Sequence, residues 1–213
     1  MNIRLRAPLV GALVITLTAC AGAGTAGPPS GAPDPTTPAS ASQAAASAFD
    51  QAFMDMMVPH HQSATEMAKL AQERAEHEEL RTLAGEIIAA QAAEITQMRD
   101  WREGWFGSPE TPPMDAMPLL PGIEMEDMDM DMGDGATMDM TTDIEELRDA
   151  DPFDLAFLDA MIPHHESAIE AGEIALEESQ NPDIRTLAEE IISSQQAEIE
   201  QMTEWRGEWY PES

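Results

Sequence analysis

Phe53-Met54-Asp55-Met56-Met57-Val58-Pro59-His60-His61-Gln62-Ser63-Ala64-Thr65-Glu66-Met67 decides the reading of this chain, because it returns as Phe157-Leu158-Asp159-Ala160-Met161-Ile162-Pro163-His164-His165-Glu166-Ser167-Ala168-Ile169-Glu170-Ala171. The offset is 104 residues and runs without a gap from Phe53/Phe157 to Trp105/Trp209, with 27 identities in 53 aligned positions. Helices that merely share a composition do not agree so closely, so the segment is a duplicated unit. Four of the five histidines lie in its two His-His steps.

Within the first copy, Phe53, Met57, His60 or His61, Ala64, Met67 or Ala68 and Ala71 recur at three- and four-residue steps, which predicts a helix over 48–76. Pro59 and Pro163 interrupt the pattern just before each His-His step. An interior proline removes one backbone hydrogen bond and costs ~3 kcal/mol. Its repetition suggests a bend that aims the imidazoles; the alternative is a helix that begins at the proline. A tight turn follows at His77-Glu78-Glu79 and at Asn181-Pro182-Asp183, where Asn then Pro is a good helix start. His77 lacks a counterpart histidine and reads as a turn residue.

The next helix, over 79–104, has a seam of Leu80, Ala84, Ile87, Gln91, Glu94, Met98, Trp101 and Trp105. Its partner, over 182–209, has Ile184, Ala188, Ile191, Gln195, Glu198, Met202, Trp205 and Trp209. Gln, Glu and Met on an otherwise apolar stripe need partners if buried, and either meet the His pairs or bond one another. The Trp pairs are expected to close the bundle end. Together these elements predict an all-α fold: an antiparallel four-helix bundle made of two duplicated hairpins, 48–105 and 142–210. A long irregular connection over 106–141 joins them, with a short helix before Asp151-Pro152.

That connection holds eight of the sixteen methionines, among them Met125, Met128, Met130, Met132, Met138 and Met140. In Met128-Asp129-Met130-Asp131-Met132 thioether alternates with carboxylate, which is not a core pattern. Ahead of the first hairpin, Arg4 and Arg6 precede an apolar run, Leu9 to Leu17, too short to span a bilayer. Leu17-Thr18-Ala19-Cys20 resembles a lipoprotein processing site, so residues 1–19 read as a signal peptide and Cys20 as the lipidated residue. Residues 20–47, rich in Ala, Gly, Pro, Ser and Thr, read as a disordered tether holding the domain clear of a membrane. The expected location is the outer face of the inner membrane, periplasmic or at the cell surface.

A formal charge of −31 with ten Lys and Arg excludes a nucleic-acid partner. Cys20 is the only cysteine, so any soft ligand in the mature domain is methionine. Imidazoles and thioethers without thiols suit Cu(I), and imidazole with carboxylate also takes Cu(II). Zinc would leave the methionines idle. A di-iron centre requires Glu-x-x-His on two helices, and no Glu stands three residues before His60, His61, His164 or His165. Adjacent helix residues point ~100° apart. One His of each pair is therefore expected in the bundle, the other turned outward or bonded to a carboxylate such as Asp55 or Glu66.

Phe-x-Asp-x-Met-(Val/Ile)-Pro-His-His, with the later Leu-Ala-x-Glu-Ile-Ile and Gln-x-Ala-Glu-Ile-x-Gln-Met, resembles the bacterial family known as domain of unknown function 305 over about 49–209. The resemblance implies a ferritin-like four-helix bundle and a copper-binding, copper-tolerance role. It implies His60, His61, His164 and His165 as motif histidines, with Met57, Met161, Met98 and Met202 as thioether ligands. Glu94 and Glu198 join the candidate metal set, and the linker methionines form an auxiliary one. Ala160 and Ala171 stand where the first copy has Met56 and Met67, so the two half-sites are expected to differ. The function expected is copper sequestration, storage or handover, with a copper donor or acceptor protein as partner and no catalytic turnover. The alternatives are a metal-dependent oxidase and an acidic interaction module with structural histidines.

Overall fold

In the computed structural model, residues 46–120, 137–138 and 141–211 are described. The signal segment, Cys20, the tether up to residue 45, and Met125, Met128, Met130, Met132 and Met140 lie outside them. Five α-helices occur among the described residues: α1 Ala48–Arg74, α2 Glu78–Phe106, α3 Thr141–Asp149, α4 Phe153–Glu178 and α5 Pro182–Trp209. None is long and apolar enough to cross a membrane. The four long ones make two antiparallel hairpins, α1–α2 and α4–α5, which pack on each other through α1 and α4.

Several of the starts and stops have a local cause. Ser47 caps α1 in a reciprocal box with Asp50, satisfying donors that a helix start leaves unpaired. Asn181 caps α5, with Pro182 in its first turn. Gly107 ends α2 at φ 81°, a left-handed conformation that glycine adopts without a Cβ penalty. Both α1 and α4 continue past their prolines, so neither proline is a helix start. The end of α1 and the start of α2 differ from the sequence reading by one or two residues, because Ala75 to His77 already turn toward Asp154 of α4. At its other end α2 runs two residues further, to Phe106 before Gly107.

The duplication is visible as a pseudo-twofold arrangement. One core cluster joins the first half of α1 (Phe53, Met54, Met57) and Met98 of α2 to the second half of α4 (Ala168, Ala171) and the first half of α5 (Ile184, Leu187, Ile191). The other joins the complementary halves, with Ala64, Met67, Leu80, Ile87, Phe157, Met161 and Met202. Stacked tryptophans flank opposite clusters: Trp101 and Trp105 at 5.3 Å, Trp205 and Trp209 at 5.1 Å. Each end thus has its own aromatic pair.

The repeat also extends further back than Phe53: Phe49/Phe153 and Asp50/Asp154 keep the same offset. Those aspartates clamp the opposite hairpin. Asp154 accepts from the backbone N–H of Glu76 and His77 and from His77 Nδ1 at 2.7 Å. Asp50 accepts from the hydroxyl of Ser179 in the α4–α5 turn. His77 is the turn residue expected, its ring stacked on Trp209 at 3.7 Å.

The connection is less irregular than its composition implies. A 3-10 turn at Met114–Ala116 precedes β1 (Met117–Pro118), which pairs antiparallel with β2 (Thr137–Met138). Leu120 is buried in the first core cluster. Arg74 at the end of α1 donates to the carbonyls of Leu147 and Ala150 and lies over the Phe153 ring. The linker is therefore pinned at both ends by contacts whose partners are far away in sequence.

Candidate metal centre

α1 and α4 are the inner helices, each covered by its own hairpin partner and by the other. Two faces ~100° apart are therefore both packed, and both members of each His-His step become buried. His60, His61, His164 and His165 are 1, 0, 6 and 0% exposed. This corrects the expectation of an outward His: the solvent side at that level is taken by Pro163 and Glu166 on α4 and by Glu66 on α1, and not by a histidine. His60 faces His164 across the pseudo-dyad, ring centroids 3.8 Å apart. His61 turns to α2 and His165 to α5.

There Glu94 Oε2 lies 2.6 Å from His61 Nε2, and Glu198 Oε2 lies 2.6 Å from His165 Nε2. These glutamates are the carboxylate partners, in place of Asp55 and Glu66. Asp55 pairs with Arg102 at 2.6 Å and Glu66 with Lys69 at 2.7 Å, both away from the histidines. His60 Nε2 is 2.9 Å from the hydroxyl of Ser167, which donates to the His164 carbonyl. Ser167 was not a sequence candidate, although it recurs with Ser63 in the repeat. The mirror-image contact of Ser63 with His164 is not made. Among the described residues, Ser63 Oγ and both ring nitrogens of His164 have no hydrogen-bond partner of good geometry. The same holds for Nδ1 of His60, His61 and His165, and for Oε1 of Gln91 and Gln195. The His60 and His164 rings each nevertheless lie close enough to the other's backbone for it to favour their protonated forms weakly.

Antiparallel packing extends this layer in both directions. With His61 beside Glu94, one turn back on α1 and one turn on along α2 bring Met57 and Met98 to one level. The equivalent step in the second hairpin pairs Met161 with Met202. All four side chains are fully buried, the first pair in one core cluster and the second in the other. Thioethers therefore flank the imidazole layer on opposite sides. Among the described residues, no three His, Cys, Asp or Glu side chains form a ready cation site.

Buried polar atoms without partners are uncommon, because each costs about 1–3 kcal/mol. Here five imidazole nitrogens of this kind occur in one layer. Burial pushes His60 and His164 well below the ordinary value of 6.5, and the neighbouring imidazoles lower them further. Both rings are thus neutral at pH 7, the form that donates a lone pair to a metal. In the metal-free protein the unfolded chain binds more protons than the folded one between these depressed values and 6.5. Stability is then complete above pH ~6.5 and falls as the pH drops below it. Urea unfolding of the wild type and of a His60→Leu/His164→Leu variant between pH 7.5 and 5.5 isolates this contribution from that of the carboxylates. Parallel curves would contradict it.

The model of a family described as a domain of unknown function, DUF305, matches residues 50–206. Among solved structures, CopM in the Cu(I)-bound form is 35% identical with a TM-score of 0.58, over 76% of this chain and 97% of that one. CopM in the Cu(II)-bound form is 38% identical with a TM-score of 0.59, over the same shares. A DUF305 protein from Streptomyces coelicolor is 25% identical with a TM-score of 0.62, over 75% of this chain and 93% of that one. No curated protein matches the chain in sequence.

Proposed function

We propose that this chain, which belongs to the DUF305 family, holds copper as cargo in the layer where its two hairpins meet. The observation that carries this reading is the group of buried, unpartnered nitrogens on His60, His61, His164 and His165. Donors of this kind are costly to keep unless a ligand uses them. Met57, Met98, Met161 and Met202 would supply thioethers from either side. Neutral imidazole with thioether and no thiolate is a soft set that suits Cu(I). CopM, solved with Cu(I), Cu(II) and Ag, supports the same chemistry. Zinc and iron fit less well, since the one would leave the thioethers idle and the other needs more carboxylates.

The role is sequestration, storage or handover to a partner protein, without turnover. The Leu17-Thr18-Ala19-Cys20 motif favours export and a lipid anchor at Cys20, on the outer face of the inner membrane or beyond. The S. coelicolor relative, named as a secreted protein, agrees with an extracytoplasmic place. The linker methionines would add weaker sites.

Competition titration with a colorimetric Cu(I) chelator, alongside thermal unfolding, tests this reading. At Cu(I) a hundredfold above the dissociation constant, the stabilisation is about 2.7 kcal/mol; an unchanged melting temperature would refute it. Excising residues 121–136 for a short Gly-Ser link is expected to remove Cu(I) equivalents while keeping the helical signal and the tightest site. A cut beginning at Met114 would be unsuitable, because it also removes the buried Leu120.

A further inference from the structure

We infer that Glu94 and Glu198 are positioning residues that hold His61 and His165 by Nε2, so that each ring offers Nδ1 to the metal. The inference deepens the copper reading and rests on it. An ionised carboxylate only accepts hydrogen bonds. A nitrogen 2.6 Å from Glu94 Oε2 or Glu198 Oε2 therefore carries the proton. In a neutral imidazole the lone pair is then on the other nitrogen. That nitrogen, Nδ1, is buried and unpartnered in both rings, while the side chains of both histidines are 0% exposed.

The glutamates are less deeply buried than the rings they hold, with side chains 16 and 17% exposed. A carboxylate behind a ligating imidazole fixes the tautomer and ring orientation and raises the ring's basicity. Both copies have the same pair at the same separation, α1 to α2 and α4 to α5. Gln91 and Gln195, one turn away on the same helices, lack a partner for Oε1 and share no such contact with a histidine. The glutamates thus act through His61 and His165 and are not themselves ligands.

Two readouts test this. Long-range 15N–1H correlation spectra of the metal-free protein report which ring nitrogen is protonated. The expected result is Nε2–H with unprotonated Nδ1 for His61 and His165; an Nδ1–H tautomer or a doubly protonated ring would overturn the inference. Cu(I) competition titration then compares wild type, Glu94→Ala/Glu198→Ala and Glu94→Gln/Glu198→Gln. The alanine variant is expected to bind roughly 10- to 100-fold more weakly. The glutamine variant, whose Oε1 still accepts from Nε2–H, should recover most of that loss. Equal affinity in all three would overturn the positioning role. A wild type that binds no Cu(I) but has the expected tautomer would instead overturn the copper reading, and with it the ligand role of Nδ1.

Discussion

Replacing His60 and His164 together by leucine is expected to leave the metal-free bundle at least as stable as the wild type and to abolish its stabilisation by Cu(I). The two rings stand 3.8 Å apart on the pseudo-dyad and present three buried nitrogens without partners. Leucine has nearly the volume of histidine and no polar atom to satisfy. Removing both partners of an unfavourable polar contact by shape-matched apolar groups is neutral or favourable. Relief of even part of the ~1–3 kcal/mol carried by each orphaned atom would raise the melting temperature by several degrees. Ser167 loses the His60 ring but keeps its bond to the backbone carbonyl of residue 164. Thermal unfolding with and without Cu(I) decides the matter. A variant that is severely destabilised without metal, yet still gains the full Cu(I) shift, would show that the imidazoles serve the core and not the cargo.

The second large effect is expected far from the metal layer. Asp154→Ala should destabilise the bundle by about 3–5 kcal/mol, since hydrogen bonds to charged groups contribute ~1.5–3 kcal/mol each. Asp154 is buried and accepts from two backbone N–H groups and from His77 Nδ1. Without it, the donors at the start of α2 lose their partners inside the protein. At roughly 2–4 °C per kcal/mol for a chain of this size, the midpoint should fall by about 6–20 °C. Asp50→Ala, which removes the carboxylate half of the capping box on α1 and the acceptor of the Ser179 hydroxyl, should act in the same direction. A loss under ~1 kcal/mol for Asp154→Ala would mean that water replaces the clamp.

Sequence periodicity revealed the four long helices because repeated apolar positions and an ungapped duplication both mark them. It also marked Glu94, Glu198 and the paired methionines, which interrupt or extend an apolar seam. The environment of each histidine was only partly legible: the seam position of Glu94 and Glu198 put a meeting with the His pairs among the alternatives, and the structure makes that contact. Whether His61 meets Asp55, Glu66 or Glu94 depends on how α1 sits against two helices at once, and the order of residues along one helix carries no information on that angle. The Asp50 and Asp154 clamps were within reach, since both keep the repeat offset, but their partners lie in the opposite hairpin. Leu120 was hidden for a similar reason: a proline-rich, acidic context gave no sign that one leucine returns to the core.

The rings of His60 and His164 meet on an axis that relates two halves of one polypeptide. An equivalent centre assembled from two separate subunits would come apart on dilution, and every substitution would strike both sides at once. Covalent fusion removes the concentration dependence of the assembled site. It also lets selection alter one half alone, as Met67 opposite Ala171 records.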